Sequence, residues 1–256
     1  MGALHAGHLA LVRRASEIAD TVIVSIFVNP LQFGPSEDLD KYPRTLVDDL
    51  AKLEPLGVRT VFAPGVSEMY PTGASDTRVT AGSVASLYEG RTRAGHFDGV
   101  LTIVSKLLNI AQPDVVLFGQ KDAQQVFLVT RMIADLNTPV TVEVVPTVRE
   151  DDGLALSSRN SFLDAKEKRA ARGLSIALEA AESSADRGID AVLAAAQSVL
   201  MGEPLIGLDY LVVVDPDTFL PVDDDHRGRA IVLVAARVGT TRLIDNTAIV
   251  LTGAHS

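Results

Sequence analysis

Along the first 145 residues the hydrophobic pattern switches repeatedly between two periods. Leu9, Val12 and Ile18, with neighbouring alanines, recur at helical spacing while Arg13, Arg14 and Glu17 lie opposite, which predicts an amphipathic helix over Leu9–Ala19. The next run, TVIVSIFV at Thr21–Val28, is apolar and largely β-branched, as in a parallel-sheet strand covered on both faces. A polar stretch over Asn29–Asp40 precedes a predicted helix over Pro43–Leu56, stopped by Gly57 in the left-handed position, and a strand over Val58–Ala63. Residues 64–95 mix glycine, proline and polar side chains and predict an irregular excursion with one short helix. Val100, Ile103, Val104, Leu107, Leu108 and Ala111 mark a helix over Gly99–Ala111 that Pro113 ends; a strand (Asp114–Phe118), a helix (Gln120–Leu136) and a strand (Val140–Val145) follow. Alternation at this spacing predicts an α/β unit with a parallel sheet. Beyond it, two alanine-rich helices (Asp164–Arg187, Ile189–Met201) precede strands at Asp209–Val214, Arg229–Arg237 and Arg242–Val250, the last two joined by a Gly-Thr-Thr hairpin. This second region, residues 148–256, reads as a smaller α+β domain after an α/β domain over 1–147.

Composition narrows the function classes. The 256 residues are 47% hydrophobic and carry a formal charge of −10, which argues against a general nucleic-acid binder. Cysteine is absent, so thiolate metal sites, disulfides and a cysteine nucleophile are excluded, and the chain suits a reducing cytoplasm. No apolar run reaches the roughly 20 residues of a membrane span, which predicts no membrane partner.

Three clusters carry candidate chemistry. His5-Ala6-Gly7-His8 opens the first helix, where backbone N–H groups and the macrodipole favour anions and Gly7 admits close approach of a ligand. A helical two-histidine metal motif needs an intervening glutamate and one more residue of spacing, and a plain pair of surface histidines is the bland alternative. Gly119-Gln120-Lys121-Asp122, with Gln124 and Gln125, follows a strand at the end where α/β sheets bind ligands, although Asp122 also suits an ordinary helix cap. Leu156-Ser157-Ser158-Arg159-Asn160, preceded by Arg149-Glu150-Asp151-Asp152-Gly153, offers hydroxyls and a guanidinium to phosphate oxygens; alone it reads as a linker.

Together with Phe27–Phe33, Asp38–Arg44, His96–Val100 and Arg237–Asn246, these motifs occur in the order that resembles the pantoate–β-alanine ligase family of the Rossmann-like nucleotidyltransferase superfamily. The resemblance spans essentially the whole chain and implies a Rossmann-like parallel-sheet domain followed by the smaller α+β domain. It implies ATP-dependent joining of pantoate to β-alanine through pantoyl adenylate, with AMP and pyrophosphate released. By resemblance, His5, His8, Lys121, Ser157, Ser158 and Arg159 are catalytic. Met1, Gly2, Ala3, Leu4, Ala6, Gly7, Gly119, Gln120, Asp122, Val148 and Leu156 line ATP. Gln32, Gln125, Asn29 and Tyr42 hold pantoate, and Asp48 and Asp49 match residues linked with Mg2+. A cytoplasmic homodimer is implied too, as is a strand before the His-x-Gly-His loop that this sequence lacks. Gln120, Ala123 and Leu156 depart from the family's glutamate, aromatic and methionine. The rival readings are another nucleotidyltransferase of the same fold and a truncated, non-catalytic nucleotide-binding homologue.

Overall fold

The computed structural model describes residues 1–34, 39, 43–73 and 75–252. It divides into two compact units, Met1–Gly119 with Gln124–Pro146, and Gln120–Ala123 with Thr147–Ser256. Both predicted fold types are present, a parallel α/β unit and a helices-then-antiparallel-sheet unit.

In the first unit, β1 (Ile23–Ser25) pairs in parallel with β2 (Thr60–Phe62), and β3 (Val115–Gly119) with β4 (Thr141–Val145). Among the described residues no strand joins β1 to β3. The apolar run over Thr21–Val28 therefore yields only three strand residues, because an apolar run records burial, whereas a strand needs a hydrogen-bonding neighbour along its length. Beyond β1, Ile26 N donates to Phe62 O; Met1 N donates to Ser25 O and Phe27 N to Met1 O, which sets Met1 beside Ile26 in parallel register.

Helix α1 (Ala6–Ile18) buries Val12 and Ala15, and Leu4, Val12, Val24 and Leu53 form one small core. Helix α2 (Leu46–Leu53) is shorter than its apolar pattern: Pro55 has no N–H for the helical ladder, and a 3-10 turn (Glu54–Leu56) ends at Gly57 with φ 75°. The irregular excursion contains two short helices instead of one, α3 (Val66–Met69) and α4 (Tyr88–Thr92). Helices α5 (His96–Ala111) and α6 (Ala123–Asp135) form a second core through Phe97, Val100, Leu108, Leu128, Val129 and Met132. The predicted start of α6 at Gln120 is a separate 3-10 turn, Gln120–Asp122.

In the second unit, the single helix expected over Asp164–Arg187 is divided into α7 (Ala165–Ala171), α8 (Gly173–Glu182) and a 3-10 turn, followed by α9 (Ile189–Met201). At Gly173 a Cβ would lie 2.7 Å from Ile206 Cδ1, the end of a side chain that would have to shift to admit it. The sheet β5 (Ile206–Val214), β6 (Gly228–Val238) and β7 (Thr241–Leu251) is antiparallel in that order. Gly239, at φ 58°, starts the two-residue connection of the β6–β7 hairpin. Leu174, Leu178, Val192, Leu200, Val232 and Val234 belong to the core beneath α8 and α9, the largest among the described residues.

Candidate active site

In the first unit, one cluster of candidates surrounds the start of α1. His5 is the helix N-cap, and its Nδ1 accepts from Gly7 N at 3.2 Å, while His8 Nδ1 accepts from His5 N at 3.3 Å. This is a reciprocal capping box made of two imidazoles. An Nδ1 that accepts an N–H carries no proton, so each neutral ring keeps its proton on Nε2, which becomes the donor atom. The rings lie 4.0 Å apart, centre to centre.

The loop before them is held from α2. Asp49, fully buried, accepts from Leu4 N at 2.7 Å and Ala3 N at 3.0 Å, and Lys52 Nζ donates to Leu4 O at 2.7 Å. These contacts fix Ala3 in the left-handed region, at φ 49°, which a residue with a Cβ adopts only when its surroundings impose it. α2 thereby sets the direction in which the chain enters α1.

Beside β1, Asn29 is buried with its amide saturated. Its Nδ2 donates to Gly99 O at 3.0 Å and Gln32 Oε1 at 3.3 Å, and its Oδ1 accepts from Tyr70 OH at 2.8 Å and Leu31 N at 3.3 Å. Burial pushes the Tyr70 phenol above its ordinary value, so it stays a neutral donor. Gly99 admits the turn Pro30–Gln32, since a Cβ there would collide with Leu31 O. His96 receives Arg93 Nη1 on Nε2 at 2.9 Å; a guanidinium only donates, so Nδ1 carries the proton and donates to Gln32 O at 2.8 Å. Gln32 is thus braced at its side chain and at its carbonyl. On α6, Gln124 is buried and bonds Glu89 N, Val84 O and Leu87 O, while Gln125, one position further round the helix, is half-buried.

The second unit carries the other cluster. Residues 148–156 form a narrow hairpin, with Leu156 N on Val148 O, Glu150 N on Leu154 O and Gly153 in its turn at φ 92°. Arg149 makes a two-pronged ion pair with buried Asp245, at 2.6 and 3.1 Å. Ser157 caps the following turn by accepting from Arg159 N; Ser158 is half-buried, Arg159 is exposed, and buried Asn160 donates to Ala155 O. The Gln120–Asp122 turn is held in the same unit by Asn246, whose Nδ2 donates to the carbonyls of Gln120 and Lys121 at 3.0 and 2.9 Å.

A family model described as pantoate-beta-alanine ligase matches residues 1–248. The chain belongs to this family. It is 60% identical to the pantothenate synthetase of Leifsonia xyli subsp. xyli, over 98% of this chain and 87% of that one, and 52% identical to that of Thermobifida fusca, over 98% and 88%. Among solved structures it resembles the pantothenate synthetase of Thermus thermophilus with a TM-score of 0.92 at 48% identity, covering 96% and 90% of the two chains. It also resembles the pantoate-beta-alanine ligase of Francisella tularensis, complexed with beta-gamma ATP and beta-alanine, with a TM-score of 0.78 at 34% identity over 96% and 86%.

In this ligase, the first-unit ATP-lining candidates range from buried Gly2 and Leu4, through half-buried Ala3, His5, Gly7 and His8, to exposed Met1 and Ala6. In the second-unit cluster, Gln120, Lys121, Val148 and Leu156 are half-buried, as is Gly119 at the end of β3, and Asp122 is exposed. Tyr42 lies outside the described residues. The Asp48–Asp49 pair does not fit a Mg2+ ion. Asp48 is exposed, Asp49 is buried against two backbone N–H groups, and adjacent residues of a helix do not converge on one point. Among the described residues no three metal-ligating side chains gather elsewhere. Sequence reasoning passed over Lys52, Tyr70 and Arg93, whose contacts lie 3 to 48 positions away and form no recognisable spacing.

Proposed function

We propose that the chain makes pantothenate in two steps, with the clusters described above acting on ATP and pantoate. In the first, a pantoate carboxylate oxygen attacks the α-phosphorus of ATP, the bond from that phosphorus to the β-bridging oxygen breaks, and pyrophosphate leaves. In the second, the β-alanine amine attacks the acyl carbon of pantoyl adenylate, the bond to the AMP oxygen breaks, and the nitrogen gives up a proton. The adenylate is needed because a free carboxylate offers an amine only an oxide as leaving group.

The protein's contribution to the first step is mainly electrostatic, since negative charge grows on the non-bridging and leaving oxygens. The Nε2–H groups of His5 and His8 donate to phosphate oxygens, with His8 giving the proton to the departing pyrophosphate. Lys121 neutralises the α-phosphate, and Ser157, Ser158 and Arg159 grip the remainder of the triphosphate. Gln32 and Gln125 hold pantoate through neutral amides, which orient the carboxylate without the tight ion pair that would quench its nucleophilicity. Asn29, its own amide saturated, acts by fixing Gln32. The reading takes the enzyme to be a cytoplasmic homodimer; light scattering on a sizing column tests the dimer directly.

The observation that carries this reading is the imidazole capping box, because it fixes two Nε2–H donors beside a helix N-terminus, where phosphate is already favoured. An assay of AMP and pyrophosphate tests it. Over many turnovers the two should accumulate in equal amounts only when ATP, pantoate and β-alanine are all present. Better turnover with another acid would favour a different nucleotidyltransferase, and ATP binding without turnover would favour a non-catalytic homologue.

A further inference from the structure

The C-terminal motif ending in Asp245-Asn246 has no role in the two steps above, yet both side chains are buried on β7. Successive strand residues face opposite sides of a sheet. Asp245 shares its face with Leu243 and Ile249 and accepts the two-pronged contact of Arg149, bracing the hairpin that runs into Ser157–Arg159. Asn246, on the other face, spends both amide hydrogens on the carbonyls of Gln120 and Lys121. Its Oδ1 is buried without a partner. A buried orphan acceptor costs stability, so the amide is kept at a cost to its own strand. The amide's value therefore lies in what it holds. Consistently, Gln120–Ala123 group with the second unit although β3 and the rest of α6 belong to the first.

We infer that Asn246 is a positioning residue for Lys121: the lysine that meets the α-phosphate is set by the last strand of the C-terminal unit, through its neighbouring carbonyls. This rests on the reading of Lys121 as a phosphate ligand. Both Asn246→Leu, which keeps the branched shape, though bulkier, and removes the donors, and Asn246→Asp, which keeps shape and removes the amide hydrogens, should lower the rate of adenylate formation by about 10- to 100-fold, the scale of a misplaced reacting group. The KM for β-alanine should stay unchanged.

A double-mutant cycle with Lys121→Ala separates positioning from general damage. If Asn246 acts through Lys121, adding either Asn246 variant to Lys121→Ala should cost little further rate. Losses that multiply, or parental rates in a folded Asn246 variant, would overturn the inference. If Asn246→Leu fails to fold, the Asn246→Asp cycle decides by the same criterion. Parental activity in Lys121→Ala would instead defeat the reading of Lys121 and, with it, the reason to hold that turn.

Discussion

The loop before α1 and the turn after β3 both present phosphate-binding candidates, and the structure holds them by different means. Before α1 the holder is charged: the carboxylate of Asp49 takes two backbone N–H groups and the ammonium of Lys52 takes a carbonyl. At Gln120–Asp122 it is neutral, one amide on two carbonyls. A charged acceptor serving buried donors contributes more stability than a neutral amide, and its loss leaves those donors without partners. The charged clamp is thus where stability is concentrated, whereas the neutral one acts mainly on the placement of a single lysine.

Variants of the two regions should separate accordingly. The largest effect is expected at the chemistry itself: His8→Ala should slow adenylate formation by about 10² to 10⁴-fold while costing only about 1 kcal/mol in unfolding through the lost half of the capping box, as quenched-flow measurement and urea titration would show. Next is Asp49→Ala, which orphans the N–H groups of Ala3 and Leu4 and should cost about 2–4 kcal/mol in urea unfolding, with a raised KM for ATP. A stability loss at Asp49 no greater than that of Asn246→Leu would erase the contrast between the clamps. Gln125→Ala should raise the KM for pantoate roughly tenfold, equivalent to about 1.4 kcal/mol, with a smaller change in kcat. The smallest effect belongs to Tyr70→Phe, which removes one donor from Asn29; a loss of about 1 kcal/mol and a rise of a few-fold in the KM for pantoate are expected.

The same contrast separates what is legible in the sequence from what is not. Local features read well: the periodicity of α1, Gly57 at the end of its turn, and Gly239 in the β6–β7 hairpin depend on residues a few positions apart. The groups proposed to meet ATP are legible for the same reason, since His5 and His8, or Ser157–Arg159, sit together in short motifs. Their holders are not. Asp49 acts across 45 or 46 positions and Asn246 across 125 or 126, and no periodicity records such contacts. The Asp48–Asp49 pair misled because adjacency in sequence looks like a shared site, whereas on a helix it sends one carboxylate to solvent and the other inward. The run Thr21–Val28 overstated β1 because hydrophobicity reports covering and not pairing.

The most direct test of the account is rapid quench of the enzyme with ATP and pantoate while β-alanine is withheld. The account predicts a burst of pyrophosphate approaching one equivalent per site and enzyme-bound pantoyl adenylate, which added β-alanine converts to pantothenate and AMP. Pyrophosphate released without pantoate, or none until β-alanine is supplied, would contradict it.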